Sequence, residues 1–578
     1  SPIMIQPAGV AARRRSYLAR IAERYDSAAC LLTQTSKGPR DHSKVAGGMQ
    51  VHPIRDSLTY AACLLSEQDE EPQRRAEAII DCCLRLQDTD STSRTYGIWP
   101  YLLEEPLEQM RPPDHNWADF CGAQLAVALR MHAERLAPSL RQRVREALGH
   151  AAGAIFRRNV APSYTNIAIM GAGVCAAAGE LLDAPWLLAY ARKRFAAIVD
   201  HVAYHGSFNE YNSPTYTPVA IYECERTHHL VADTDVCNAA ERLRQHAWKM
   251  IAEHYHAATG QWAGPHSRDY NIVMTPRIAA FLADRTGVAI PLDHRMHEHV
   301  SQLGMVDALP PIPAPESCCE AFRERAEPER VVRRRYVRHA DADASIWGTT
   351  WLSERACLGT VTRHELWVQR RTLLGYWRDD EQRVAVLRLR MLHDGQDFAS
   401  GYAHHVQAGP RVLSLATLLT NRGDLHPLLD PPADGVFEAG DVRLRYELDA
   451  ADAQARALPG GRFELRAGLG RAVLHPLPGM WDGQSIRWQL AELDHGVALE
   501  AIAYTGPRRP FALADLQPTY FAAGLELLTD ADREPLAISP QLHTAAEQIT
   551  ASWALPDEPP DEPLEVAAPL RPIAREWE

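Results

Sequence analysis

Leu309-Pro310-Pro311-Ile312-Pro313-Ala314-Pro315 divides this chain into two unlike parts. Four prolines in seven residues remove backbone donors and fix φ, so neither a helix nor a central strand runs through the segment. Upstream, from residue 10 to about 300, apolar side chains recur at helical spacing. Phe120, Leu125, Leu129 and Leu136 mark a helix over 117–136, and the Ala-, Gly- and Leu-rich stretch 168–182 suits close helix–helix packing. The same reading predicts helices near 14–34, 55–66, 72–87, 140–157, 186–203, 217–232, 235–257, 275–286 and 293–303. Breakers mark the joins, as at Pro112-Pro113-Asp114, Ala161-Pro162-Ser163 and His205-Gly206-Ser207. About ten helices in consecutive antiparallel hairpins, with no fixed repeat length, point away from a regular solenoid and toward a closed ring, an (α/α) toroid.

Downstream the pattern shortens and alternates. Residues 347–352, 365–369, 384–389 and 442–448 read as strands separated by Gly, Asp and Pro turns, as in an antiparallel β-sandwich. The expected organisation is α+β and multidomain: a toroid over 1–303, a linker over 304–345 with a dense charge run at 323–335, a sandwich over 346–555, and a Pro/Glu-rich tail or surface strap over 556–578.

The 578 residues are 46% hydrophobic, enough for well-packed cores in a chain too long for one. A formal net charge of −13 argues against nucleic acid as the main partner. It leaves an anionic sugar open, because local potential governs a cleft. Eleven scattered cysteines without a CxxC pair fit buried thiols in a reducing compartment. No run of eighteen apolar residues is present, so no membrane partner is expected. The expected location is the cytoplasm, or the periplasm or exterior where a signal peptide has been removed. No Walker loop, GxSxG elbow or HExxH motif occurs, and the pairs His228-His229 and His404-His405 lack a carboxylate at ligand spacing. The expectation is an enzyme without metal or cofactor, its oligomeric state left open.

The densest polar and aromatic cluster is Gly206-Ser207-Phe208-Asn209-Glu210-Tyr211-Asn212-Ser213-Pro214-Thr215-Tyr216, between two predicted helices and hence on a rim loop. Rim loops on rigid scaffolds commonly carry sites; a turn fixed by Ser213-Pro214 with packed tyrosines is the structural alternative. The string GSF-x-E-x-x-SP-x-Y resembles the tyrosine-bearing loop of heparinase-like and alginate-lyase-like polysaccharide lyases, and its GSF opening is similar to hyaluronate and chondroitin lyases. The resemblance implies an (α/α) toroid followed by an antiparallel β domain, and a catalytic tyrosine at Tyr216.

Ser163-Tyr164-Thr165-Asn166 leads into the Gly/Ala-rich helix. Two roles are open to Asn166: capping that helix, or neutralising a uronate carboxylate, the role implied by the resemblance. Heparinase-like members commonly carry a histidine next, where this chain has Ile167. Gly264-Pro265-His266-Ser267-Arg268-Asp269-Tyr270 resembles the arginine-bearing loop of hyaluronate-type lyases. Arg268 would bind a carboxylate or lower the tyrosine pKa, unless it forms a plain surface pair with Asp269; His266 would act as base or bind hydroxyls. Trp117 and Tyr211 are candidates for stacking on sugar rings, and Asn116, Asn212, His52 and Arg55 for polar contacts. From the β region, Gln369-Arg370-Arg371, Asp394-Gly395-Gln396-Asp397 and the pair His404-His405 are candidates to reach the cleft, and the resemblance implies a β-domain histidine such as His405.

The expected function is β-elimination on a uronate-containing poly- or oligosaccharide, with Asn166, joined by Arg268 or His266, neutralising the carboxylate, Tyr216 moving protons and Glu210 orienting partners. Two rivals remain: a glycoside hydrolase pairing Glu210 with Asp119 or Asp269, and a carbohydrate-binding scaffold without turnover.

Overall fold

The computed structural model describes residues 1–302, 309–323, 329–422, 435–531, 533–556 and 562–575. The expected boundary at 303/304, part of the charge run and parts of the tail lie outside them. Helices α1 (Val10–Ala22), α2 (Ile54–Leu65), α3 (Glu70–Leu84), α4 (Asn116–His132), α5 (Pro138–Arg158), α6 (Thr165–Leu181), α7 (Pro185–His205), α8 (Tyr216–Leu230), α9 (Thr234–His254) and α10 (Pro276–Thr286) make up the first part. Each of α2/α3, α4/α5, α6/α7 and α8/α9 forms a packed pair. Across pairs, α2 packs on α4, α4 on α6 and α6 on α8, while α3 meets α5 and α7 meets α9. Helices α2, α4, α6 and α8 thus form an inner layer. Accordingly, α6 is buried from Thr165 through Gly179, whereas α7 and α9 bury one face only. Small residues on α6 permit close contacts both within this layer and to its hairpin partner: a Cβ at Gly173 would sit 2.8 Å from Thr227 Oγ1 of α8, and one at Gly179 would sit 2.7 Å from the Leu188 backbone nitrogen of α7. The ends of this arc are tied, Ile3–Ile5 pairing antiparallel with Ile290–Leu292 and Arg13 bridging Asp284 at 2.9 Å.

The predicted helix over 14–34 is corrected. It ends at Ala22, because the Asp26 carboxylate accepts from the Ala28 backbone N–H at 3.0 Å and turns the chain into the Tyr25–Asp26/Leu31–Leu32 hairpin. Among the described residues, no helix is long and apolar enough to cross a membrane.

The second part is rich in antiparallel strands. One sheet runs, in spatial order, Arg487–Leu493, Gly496–Ala512, Val436–Asp449, Val384–His393, Leu373–Arg378, Ala356–Val361, Ile346–Leu352 and Arg330–Val337. Arg330–Val337, read from sequence as linker, is its edge strand. The other main sheet runs Arg363–Glu365, Gly401–Ala408, Arg411–Leu418, Phe521–Leu528, Gly470–Pro476, Arg462–Ala467 and Gln454–Leu458. Leu387, Leu389 and Met391 of the first share a core with Val412, Ala416 and Leu525 of the second. Leu413 and Leu415, pointing the other way as the strand pleat requires, pack on Ile549, Trp553 and Ala568. Ala568 lies in the strand Leu564–Pro569, formed by the stretch expected to be a tail or strap.

The remaining face of the first sheet receives the helical part. Ala263 and Val273 pack on Leu352, Cys357, Leu374 and Val386, and Tyr211 joins Tyr336, Ile346 and Val361. Two inter-helical loops, 207–215 and 263–275, therefore rest on a β surface.

Candidate functional site

The loop after α7 begins where Gly206, at φ 96°, ends the helix in the left-handed region. Asn212 then anchors it. Its amide donates to the carbonyls of Ala263 (3.0 Å) and Pro265 (2.7 Å), and its oxygen accepts from the Trp262 indole at 2.6 Å. Ser213 donates to the Arg268 carbonyl at 2.6 Å and accepts from the Tyr216 backbone N–H at 3.0 Å, so one hydroxyl ties the second loop to the start of α8. Ser267 donates to the Tyr211 carbonyl at 2.6 Å. The second loop is itself pinned to the β part: His266 and Arg371 exchange backbone hydrogen bonds at 3.1 and 2.8 Å, and Asp269 N–H donates to Gln369 O at 2.7 Å. Past this pairing, Arg268 and Tyr270 both come to lie beside Tyr216 at the start of α8.

There the polar groups converge. The Arg268 guanidinium lies 4.5 Å from the centre of the Tyr216 ring and 5.2 Å from that of Trp367. Its Nε donates to Gln369 Oε1 at 3.1 Å, and its Nη2 to the Tyr270 hydroxyl at 3.3 Å. The Tyr216 and Tyr270 hydroxyls are 2.9 Å apart. Burial, then the Tyr270 hydrogen bond, push the Tyr216 phenol well above its ordinary value, and the Arg268 charge opposes them only in part. The sequence expectation that Arg268 lowers this pKa holds in direction for that one interaction but not in the balance: Tyr216 is a protonated phenol at neutral pH.

Glu210 completes the group. Burial raises its carboxyl pKa, against the Arg268 charge and a hydrogen bond from Thr165, and its Oε2 is buried without a hydrogen-bond partner. Thr165 opens α6, so the Asn166 loop meets the other two here. Asn166 does not cap the helix. Tyr164 holds the cap position, while Asn166 lies in the first turn, 7% exposed, its Oδ1 without a partner. A buried amide oxygen left unpaired is costly in a resting protein and is the sort of group a ligand or water satisfies.

Other candidates are placed elsewhere. Tyr211 is buried and stacked on Tyr336 at 4.3 Å, closed to a sugar ring. Asn212 is an internal anchor. His266 is enclosed, its Nε2 on the Trp262 carbonyl at 2.9 Å and its Nδ1 3.7 Å from Asp269; burial pushes its pKa down to about 3. It supports the loop rather than facing the tyrosines. Burial lifts Asp269 to about 6. Trp117 is packed on Tyr101 with the Arg55 guanidinium 4.8 Å from its ring centre. His52 is held between Asp26, at 2.8 Å, and Glu104. Asn116 binds the Tyr164 hydroxyl at 2.9 Å and Arg158. His405 is buried against Ser414 and Thr372, and His404 is buried beside it. Among the described residues, no three His, Cys, Asp or Glu are grouped to hold a metal ion.

Tyr270 and Trp367 carried no role in the sequence reading. The signal for Tyr270 was its position two residues past Arg268 in an extended loop. Trp367 had none, since only the fold brings the segment Trp367–Arg371 to the helical rim.

Residues 19–299 match the family described as "Domain of unknown function (DUF8769)". No curated protein matches the chain by sequence. Among solved structures, a heparinase III gene product with methylated lysines aligns at 9% identity over 89% of this chain and 83% of its own, with a TM-score of 0.37. Another structure of a heparinase III gene product aligns at 10% identity over 89% and 84%, with a TM-score of 0.36. Both likenesses are too distant to transfer any residue's role.

Proposed function

We propose that this protein is a lyase that cleaves a uronate-containing poly- or oligosaccharide by β-elimination. The observation that carries the reading is the convergence of a guanidinium from one inter-helical loop with a protonated phenol and a buried carboxyl with an open oxygen from another. Arg268, with the Asn166 amide, would bind the uronate carboxylate and stabilise the charge that builds as C5 loses its proton. Glu210 would accept that proton at Oε2; a carboxylate with a raised pKa is a stronger base than an ordinary one. Tyr216 would donate its phenolic proton to the departing O4, leaving a C4–C5 double bond in the product. No cofactor enters this scheme.

The two-layer helical arc with tied ends supports the toroid reading, and the shared core of the two main sheets supports the sandwich. Purified protein is expected to generate near-ultraviolet absorbance from at least one member of a uronate polymer panel. Tyr216→Phe should abolish that signal, a loss of about 10²-fold or more, with the fold retained by circular dichroism. Reducing ends released from a neutral glycan without new absorbance would overturn the reading.

A further inference from the structure

Tyr216 is half-buried and has one phenolic neighbour. Tyr270 is 56% exposed, its hydroxyl 2.9 Å from that of Tyr216 and 3.3 Å from Arg268 Nη2. An acid that gives up its proton each cycle must recover one, and a sugar bound over Tyr216 would stand between it and water. Tyr270 offers a second route: its ring is largely in solvent and its oxygen is in contact with the half-buried phenol. Its loop is fixed for the task by the Ser213–Arg268 and Asp269–Gln369 hydrogen bonds, which hold Arg268 and Tyr270 beside α8.

We infer that Tyr270 is a proton-relay residue that returns a proton from solvent to Tyr216 after each turnover. The inference rests on the lyase reading. When Tyr216 has lost its proton to the leaving oxygen, the Tyr270 O–H bond breaks and a new O–H bond forms on Tyr216. The negative charge, now on Tyr270, lies against Arg268 Nη2, and a water or hydronium proton from bulk neutralises it. The proton taken up by Glu210 leaves to bulk water, so the cycle balances. Tyr270 need not touch the sugar; it acts through Tyr216 as a positioning and supply group.

The test uses the full chain. Tyr270→Phe keeps the ring and removes only the hydroxyl. In the free protein, tyrosine labelled with ¹³C at Cζ reports ionisation; Tyr216 is expected to titrate at lower pH in Tyr270→Phe than in wild type, because the hydrogen bond that disfavours its phenolate is gone. An unchanged Tyr216 titration would overturn the coupling, and this arm needs no substrate. In turnover, Tyr270→Phe should lower kcat roughly 10- to 100-fold with KM nearly unchanged. Added imidazole should restore part of that loss and should do nothing for Tyr216→Phe. Full kcat in Tyr270→Phe at low buffer, or a loss that imidazole leaves untouched, would overturn the relay. Failure of wild type to produce unsaturated uronate would instead count against the lyase reading, and the relay would fall with it even if the titration arm succeeds.

Discussion

Asp119 illustrates what a single buried carboxyl costs. It sits on α4, 3% exposed, with Gly171 of α6 so close that a Cβ there would lie 2.6 Å from Asp119 Oδ2. Burial lifts its pKa to about 8, against the opposing charge of Arg158. A carboxyl whose folded pKa exceeds its unfolded value binds more protons in the native state, so stability is fullest below about pH 4 for this group and declines as pH rises toward 8. Asp119→Asn should flatten that decline, worth up to a few kcal/mol at pH 8, read as urea midpoints measured across pH. A wild-type profile already flat from pH 5 to 8 would contradict the assignment. At this scale the sequence was readable where chemistry demanded an unusual residue on a loop: Tyr216, Arg268 and Glu210 do approach one another. It was not readable for Tyr211, Asn212 or Trp117. An aromatic or amide side chain in a loop looks alike whether it binds a sugar or holds two loops together, and only the packed partners Tyr336, Trp262 and Tyr101 distinguish the cases.

Among the elements, periodicity placed α2 through α10 within a few residues, because each outer helix buries one face and the breakers between helices are strong. The first helix was overextended, since an apolar pattern continues past Ala22 while the Asp26 turn is a local side-chain effect. The edge strand Arg330–Val337 was hidden for a different reason. Its run of arginines reads as a charged connector, yet each finds a role at a sheet edge: Arg334 pairs with Glu253, and Arg335 donates to the His205 carbonyl at 3.0 Å. How the site is positioned depends on a contact no pattern foretells. Gly359, inside the strand Ala356–Val361, lies against the second site loop so closely that a Cβ would be 1.9 Å from the Gly264 carbonyl oxygen. Backbone cannot yield as a flexible side chain does. Gly359→Ala is therefore expected to destabilise the protein by about 1–3 kcal/mol and to shift the Arg268 loop, lowering turnover more than the stability loss alone explains. Alanine with wild-type melting and turnover would show that the loop tolerates displacement.

For the whole molecule, the helical and β parts share structure rather than a tether. Thr350 Oγ1 donates to the Gly264 carbonyl and the Tyr376 hydroxyl to the Ile272 carbonyl, each at 2.6 Å. Arg295, just past the last strand of the helical part, donates to Asp293 Oδ2 at 2.9 Å, to Asp449 Oδ1 at 2.7 Å and to the Val384 carbonyl at 3.0 Å. With the Tyr211–Tyr336 stack, these contacts make the site loops part of the joint, so a protein that held its site rigid would have to unfold both parts together. Coincident transitions are the diagnostic. Hydrogen exchange along a urea series should give the same midpoint for peptides from α6, in the helical core, and from Arg411–Leu418, in the β core. Arg295→Ala leaves two carboxylates without their cation and should move both midpoints down together, by roughly 2–3 kcal/mol. Should α6 lose protection at lower urea while Arg411–Leu418 stays protected, the parts are separable, and the geometry around Arg268 would have to be maintained by the helical loops alone.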